Sequence, residues 1–328
     1  MLESSFLDVP GLKVGHFTDP RRPTGCTVIL CEGGANAAVS VRGYSTGTRE
    51  TQLLDPLQSI RQVHALLLTG GSTFGLDACA GVLRYLEERG LGFEISRELR
   101  VPIVPAAVIF DLLLGDGRIR PDSQAGYQAC CHASLDFLPE GNVGAGAGAT
   151  VGKIFGNAWA MKGGFGHSSL RCGELVVGAM AVVNAFGDIC DPADGRLLAG
   201  ARSPHHAGFA DTWSCFLGDP LGLRPGFGAN TTLGCIATNA SLEKPALTQV
   251  AEMCQSGLPR TIRPVHTLVD GDLVFALSTG ALPVAEWAVT AIGILAAEAL
   301  SRAVLRAVWA ADPIPGYPCA RDFLAPRR

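Results

Sequence analysis

Charge is scarce in this chain. Of its 328 residues, 17% are Asp, Glu, Lys or Arg, against roughly 25% in an average soluble domain. The 26 basic and 30 acidic side chains nearly cancel, leaving −4, so nothing marks a surface that neutralises nucleic-acid phosphates. The 11 cysteines contain no C-x-x-C pair, which speaks against structural zinc and a disulfide framework. A reducing cytoplasm is the expected location, with most thiols serving as small core hydrophobes. No basic n-region followed by an apolar h-region opens the chain, so no secretory leader is expected. Pro283 to Asp312 is Ala-rich, but only 11 residues separate Glu286 from Glu298, and Arg302 and Arg306 follow. A bilayer span needs roughly 18 apolar residues; this stretch predicts a long buried helix and no membrane contact. Charge blocks, low-complexity tails and internal repeats are absent, and the length allows two domains without requiring them.

What is abundant is apolar side chain, at 48%, and glycine, at 41 residues. A large core follows and disorder is excluded. Low charge with much Ala and Gly also predicts surface buried between subunits, a homo-oligomer with a tetramer as the working expectation.

The pattern reads as alternating strands and helices. His64 to Thr69 predicts a strand, Gly70-Gly71-Ser72 a turn, and Phe74 to Arg89 a helix stopped by Gly90. Val101 to Leu114, broken by Pro102 and Pro105, reads as an edge strand or irregular segment. Asp122 is placed to cap a helix to Leu135. Leu175 to Asn184 and Thr231 to Ala240 are nearly all apolar, as strands buried on both faces are. Ser241 suits the N-cap of a helix through Cys254, and Asp270-Gly271 signals a hairpin within Thr267 to Leu277. Helix-covered strands buried on both sides predict two packed sheets inside a layered α/β protein.

Several motifs carry less than they promise. The run Gly144 to Lys153 lacks the Gly and the Ser or Thr of a Walker A loop, and no acid follows it at dinucleotide spacing; a loop lacking side chains, open to close approach, is the simpler reading. Lys153 itself is a lone cation among apolar residues, and is either a paired buried group or a surface lysine. Gly70-Gly71-Ser72 is a structural turn first and pocket lining second, with N–H groups that an anion or oxyanion would accept. Ser241-Leu242-Glu243-Lys244 matches S-x-x-K by chance. His205-His206, in a Pro- and Gly-flanked loop, is weak as a metal site.

Gly226-Phe227-Gly228-Ala229-Asn230-Thr231 is more informative. Small residues run straight into a hydroxyl that begins a strand, as an autocatalytic N-terminal nucleophile requires. The Thr231 hydroxyl would attack the Asn230 carbonyl, and the product would carry a free α-amine beside its own hydroxyl, nucleophile and base in one residue. The residues alone favour the plainer reading, a loop entering an ordinary Thr-rich strand.

Asn230-Thr231-Thr232-Leu233-Gly234 with Ala237-Thr238-Asn239 resembles the self-processing site of the L-aminopeptidase/D-esterase family, which includes β-aminopeptidases and the nylon-oligomer hydrolase. The likeness extends through Gly47-Thr48-Arg49-Glu50-Thr51, Leu68-Thr69-Gly70-Gly71-Ser72, Pro105 to Asp111, Val182-Val183-Asn184-Ala185 and Val265 to Asp272, in family order along nearly the whole chain. It implies a four-layer αββα sandwich, one domain of residues 1–328, cut into a large chain, 1–230, and a small chain, 231–328. It implies Thr231 as nucleophile, Asn230–Thr231 as the cleaved bond, and Asp270 and Asp272 as the acidic pair that orients the new amine and hydroxyl. Lys153 and Asn184 match polar residues around the nucleophile, suited to donate to an oxyanion. Gly70, Gly71, Ser72 and Phe110 match the substrate side, with Phe110 standing where some members have Tyr. Some β-aminopeptidases use Ser with a Ser/Glu pair instead of Thr231 with two Asp. The implied reaction is hydrolysis of a small amide or peptide through an acyl-enzyme, with no metal and no organic cofactor. An acyltransferase like the ornithine acetyltransferases is the enzymatic alternative, and a non-catalytic small-molecule-binding protein of the same fold the other.

Overall fold

The structure, a computed structural model, describes residues 4–223 and 230–323; the run Gly226-Phe227-Gly228-Ala229 before the expected cleavage point lies outside the described residues. Nine strands make one mixed sheet: β1 (Lys13–Thr18), β2 (Gly25–Val41), β3 (Thr48–Arg49), β4 (Gln62–Thr69), β5 (Ala106–Val108), β6 (Gly164–Cys172), β7 (Leu175–Asn184), β8 (Thr231–Ala240) and β9 (Leu273–Leu282). Their order is β6-β7-β8-β9-β2-β4-β5-β3, with β1 also paired to β2. Neighbours β8/β9 and β4/β5 are parallel. Four helices cover the sheet: α1 (Ala78–Glu87), α2 (Ser123–Cys131), α3 (Lys244–Cys254) and α4 (Ala288–Ala310).

One ladder becomes two layers because β2 is 17 residues long and changes partner along its length. Its first half pairs with β1, the pairing with β4 runs from Cys26 to Asn36 with a register shift between Leu30 and Ala35, and Asn36–Val41 pairs with β9. The alternation of strand side chains then sorts the core into three. Ile29, Leu66 and Leu68 meet Met180, Val182, Leu233 and Phe275 between the layers. On the opposite face of β7 to β9, Val177, Ala179, Ile236 and Val274 meet α3 and α4. Val28, Leu30, Ala65 and Leu67 meet α1 and α2. The layers run helix, sheet, sheet, helix, the expected αββα sandwich, with both sheet layers joined through β2.

Helix α4 is long and apolar enough by composition to cross a bilayer, so the spacing of its acids does not by itself exclude a span. Packing decides its place. Ile292, Leu300, Val304 and Val308 are all buried against the sheet, each contributing roughly 1.5–3 kcal/mol. Gly166 of β6 makes the approach possible, since a Cβ there would lie 2.3 Å from Ala307 N.

β7 and β8 span the predicted residues, and Asp122 caps α2 by accepting from Ala125 N at 2.9 Å. The helix predicted from Phe74 starts as a 3-10 segment, Ser72–Asp77, before α1. Eight of the 11 cysteines are buried, and all are unpaired thiols. Two expectations are corrected. Ser241 is not an N-cap: its N–H donates to Leu282 O at 2.7 Å, prolonging the β8/β9 pairing, and α3 starts at Lys244 with Pro in its first turn. Asp270-Gly271 is not a hairpin either. The chain there leads into β9, which runs parallel to β8, and a parallel neighbour cannot be joined by a two-residue turn.

Candidate active site

Thr231 is the first residue of β8, and the register sets it opposite Asn184, the last residue of β7. Directly opposed residues share a face. Two residues along, Leu233 and Val182 both point between the layers, so the pair sits at the end of the inter-sheet core. Thr231 is only 4% exposed. Its Oγ1 donates to the carbonyl oxygen of Asn230, and that oxygen also accepts from Gly271 N at 2.9 Å. Gly271 N therefore polarises the carbonyl that precedes Thr231, as a donor to developing negative charge does, and the hydroxyl lies against the same group. Asn230 is further held by a parallel bridge to Asp270 and by donation from Nδ2 to Val269 O at 3.1 Å.

The two acids flank this peptide. Asp270 accepts from Phe186 N at 3.1 Å, from Thr267 N at 3.3 Å and from the Thr267 hydroxyl. Burial raises its carboxyl to about 6 and the Asp272 charge adds to this, while the Thr267 and Phe186 hydrogen bonds and the Lys153 ammonium oppose it. Asp272 Oδ1 accepts from Thr232 N at 2.7 Å; its Oδ2 accepts from His266 N and lies against His266 Nδ1, both at 3.0 Å. The acids' own carbonyls are clamped by the chain after β2. Arg42 N and Gly43 N donate to Asp272 O, and Tyr44 N and Ser45 N donate to Asp270 O. Position 43 must be glycine, because a Cβ would lie 2.1 Å from Asp272 N.

Lys153 is buried and paired. Its Nζ donates to Asn184 O at 3.1 Å and Asn184 Oδ1 at 2.9 Å. Burial pushes the ammonium down to about 7, with Asp270 pulling upward and Lys162 adding to the fall. Its loop lies along the end of β7 through Lys153 N to Phe186 O and Gly152 N to Gly187 O. The structure brings together Asn230, Thr231, Asp270, Asp272, Lys153 and Asn184.

Other expectations change in detail. Asn184 acts on Lys153 as an acceptor: Oδ1 takes Lys153 Nζ and Thr150 N, while Nδ2 donates to Phe110 O at 3.2 Å. Phe110 thus meets the cluster through its carbonyl. Gly70, Gly71 and Ser72 offer no anion cradle, because their N–H groups donate to Gly25 O, Asp111 Oδ1 and Ile109 O. They belong to a buried network in which Asp111 also holds Arg22 at 2.8 Å and Thr24 at 2.6 Å. His266 and Thr267, which carry the acids' outer hydrogen bonds, had no role assigned from sequence. The available signal was a hydroxyl three residues, and an imidazole six residues, before an acid of the pair. Among the described residues no group of three or more His, Cys, Asp or Glu could hold a metal ion.

The family model of peptidase family S58 matches residues 4–320. An uncharacterized aminopeptidase of Mycobacterium tuberculosis is 44% identical over 350 residues, covering 98% of each chain. The 6-aminohexanoate-oligomer endohydrolase of a Kocuria species is 32% identical over 324 residues, covering 93% of this chain and 86% of the relative. Among solved structures, a Burkholderia β-aminopeptidase superposes with a TM-score of 0.70 at 20% identity, over 94% of this chain and 87% of that one. The L-aminopeptidase D-Ala-esterase/amidase of Ochrobactrum anthropi, described as a variant of the Ntn-hydrolase fold, gives 0.71 at 18%, over 94% and 86%. At such identities these two structures speak to the fold.

Proposed function

The chain belongs to peptidase family S58, and on that premise we propose that it is a self-processing amidase or aminopeptidase whose nucleophile is Thr231. One observation carries the reading: the Thr231 hydroxyl lies against the Asn230 carbonyl, which Gly271 N already polarises, between two carboxylates and a buried lysine.

Maturation begins when Oγ1 attacks the Asn230 carbonyl carbon. The C–N bond breaks, the hydroxyl proton passes to the departing nitrogen, and an ester through Oγ1 forms with a free α-amine. Water then cleaves the ester, releasing the Asn230 carboxyl group and restoring the hydroxyl. In turnover the α-amine of Thr231 takes the hydroxyl proton as Oγ1 attacks a substrate amide, and returns it to the leaving amine. Water resolves the acyl-enzyme. Lys153, poised at about 7, holds or releases a proton near neutrality, as a group serving proton transfer needs to. Asp272 holds Thr232 N, next to the residue that carries the new amine, and Asp270 holds Phe186 N just beyond the end of β7.

The substrate class is a small peptide or amide, supported by the family and by the oligomer hydrolase named among the relatives. Its test is hydrolysis of N-terminal L-, D- and β-aminoacyl anilides and linear 6-aminohexanoate oligomers, with and without an added acceptor amine. Turnover of at least one amide, with water as the main acceptor, is expected. Product formation only when the amine is present would replace the hydrolase reading with a transferase.

A further inference from the structure

His266 sits six residues before Asp272 in one of the four non-glycine positions, among the described residues, with a left-handed backbone, φ +58°. Side chains bearing a Cβ rarely adopt that shape, and where they do the surroundings must impose it. Here it lets two donors of one residue reach one carboxylate oxygen, His266 N and Nδ1 both standing 3.0 Å from Asp272 Oδ2. Because the carboxylate only accepts, Nδ1 carries the proton. The imidazole is 22% exposed and the carboxylate 1%, so the contact is largely shielded from water. The other oxygen, Oδ1, holds Thr232 N at 2.7 Å. Once the Nδ1 donor is lost, Oδ2 keeps only the backbone N–H of residue 266, and the carboxylate is freer to turn about its last torsion and loosen its hold on that Thr232 N–H, which belongs to the residue after Thr231.

We propose that His266 is a positioning residue for Thr231: by fixing Asp272 it fixes the backbone at Thr232, and so the aim of the hydroxyl one residue earlier. The inference rests on Thr231 being the nucleophile. Its chemistry requires a donor at Nδ1 and a backbone that tolerates positive φ, and these two needs can be separated by substitution.

Wild type, His266→Gly, His266→Asn and His266→Asp are compared for the rate of Asn230–Thr231 cleavage and, after maturation, for kcat and KM on an aminoacyl anilide that wild type turns over. Glycine adopts the backbone freely and offers no donor. Asparagine and aspartate both tolerate it and have the same shape, but only asparagine presents an N–H to Asp272. Glycine and aspartate should lose about 10- to 100-fold in cleavage rate and kcat, with KM within about twofold, the scale of one charge-assisted hydrogen bond. Asparagine should recover most of that loss. If glycine fails to fold, the asparagine–aspartate pair carries the comparison. Equal rates in asparagine and aspartate, glycine matching wild type, or a loss confined to KM would each overturn the proposal. Failure of the underlying reading looks different: wild type would never be cut at Thr231, or Thr231→Ala would keep full activity.

Discussion

Replacing Lys153 by methionine separates what the site needs from what the fold needs. The ammonium is enclosed beside Asn184, and burial brings it from 10.5 to about 7 against the pull of Asp270. That drop corresponds to on the order of 5 kcal/mol by which folding disfavours the charged form. The sign follows from proton counts. Between about pH 7 and 10.5 the unfolded chain still holds the proton that the folded chain has released, so stability rises with pH across that window and is lowest below it. Methionine fills a similar volume without charge. It gives up the two hydrogen bonds to Asn184, about 1.5–3 kcal/mol each for a charged donor, so at pH 6 the two effects nearly offset. The variant should therefore be about as stable as its parent at pH 6, although it lacks a group central to the site. From pH 6 to pH 9 the parent should gain about 3 kcal/mol relative to the variant. The assay is urea unfolding at both pH values of Thr231→Ala and Thr231→Ala/Lys153→Met, so that neither chain is cut. A relative stability that does not change between pH 6 and 9 would refute the account of a lysine forced toward neutrality by burial.

Other outcomes follow from the same geometry. Asp270 is raised to about 6, so if its ionised form supports maturation, the cleavage rate should climb as pH rises through about 6. Asp270→Asn should abolish that climb and slow cleavage roughly 10²- to 10⁴-fold, followed by gel over time from pH 5 to 8. Because a raised carboxyl favours the folded state below its unfolded value and loses that contribution as pH rises through about 6, Asp270→Asn should not lower stability near pH 7 through this ionisation. Asp111→Ala leaves the fully buried Arg22 guanidinium without its carboxylate and should cost about 3–5 kcal/mol in urea unfolding. The Thr232 hydroxyl is buried and finds no hydrogen-bond partner among the described residues. Thr232→Val keeps its shape, suits a strand, and should raise stability by about 1 kcal/mol.

The parts of the molecule legible in the sequence are those written locally. β7 is apolar up to Asn184 and β8 is apolar from Leu233 to Ala237, and burial on both faces leaves little else for them to be. Lys153, a lone cation among small apolar residues, reads from sequence as either a paired buried group or a surface lysine, and the structure shows it buried and paired with Asn184. What the sequence hid is long-range. Gly33-Gly34 lies inside β2, and Gly34 has φ +79°; read locally it is a turn, yet the strand passes through it and joins the two layers. Asp270-Gly271 carries turn chemistry that also suits the approach to a parallel strand, and only the pairing with Asn230 separates the two. The bonds of His266 and Thr267 to the acids depend on a backbone path that no periodicity encodes. Gly70-Gly71-Ser72 looked open because the acid that occupies one of its N–H groups, Asp111, is 40 residues away from Gly71.

The central claim is that Thr231 cuts its own chain and then serves as the nucleophile, and an intact-mass spectrum of the denatured protein beside Thr231→Ala tests it most directly. The account predicts two pieces for wild type, residues 1–230 and 231–328, the smaller giving Thr-Thr-Leu-Gly on N-terminal sequencing, and a single uncut, folded and inactive chain for the variant. A wild-type protein that hydrolyses amides while remaining one unbroken chain would contradict it.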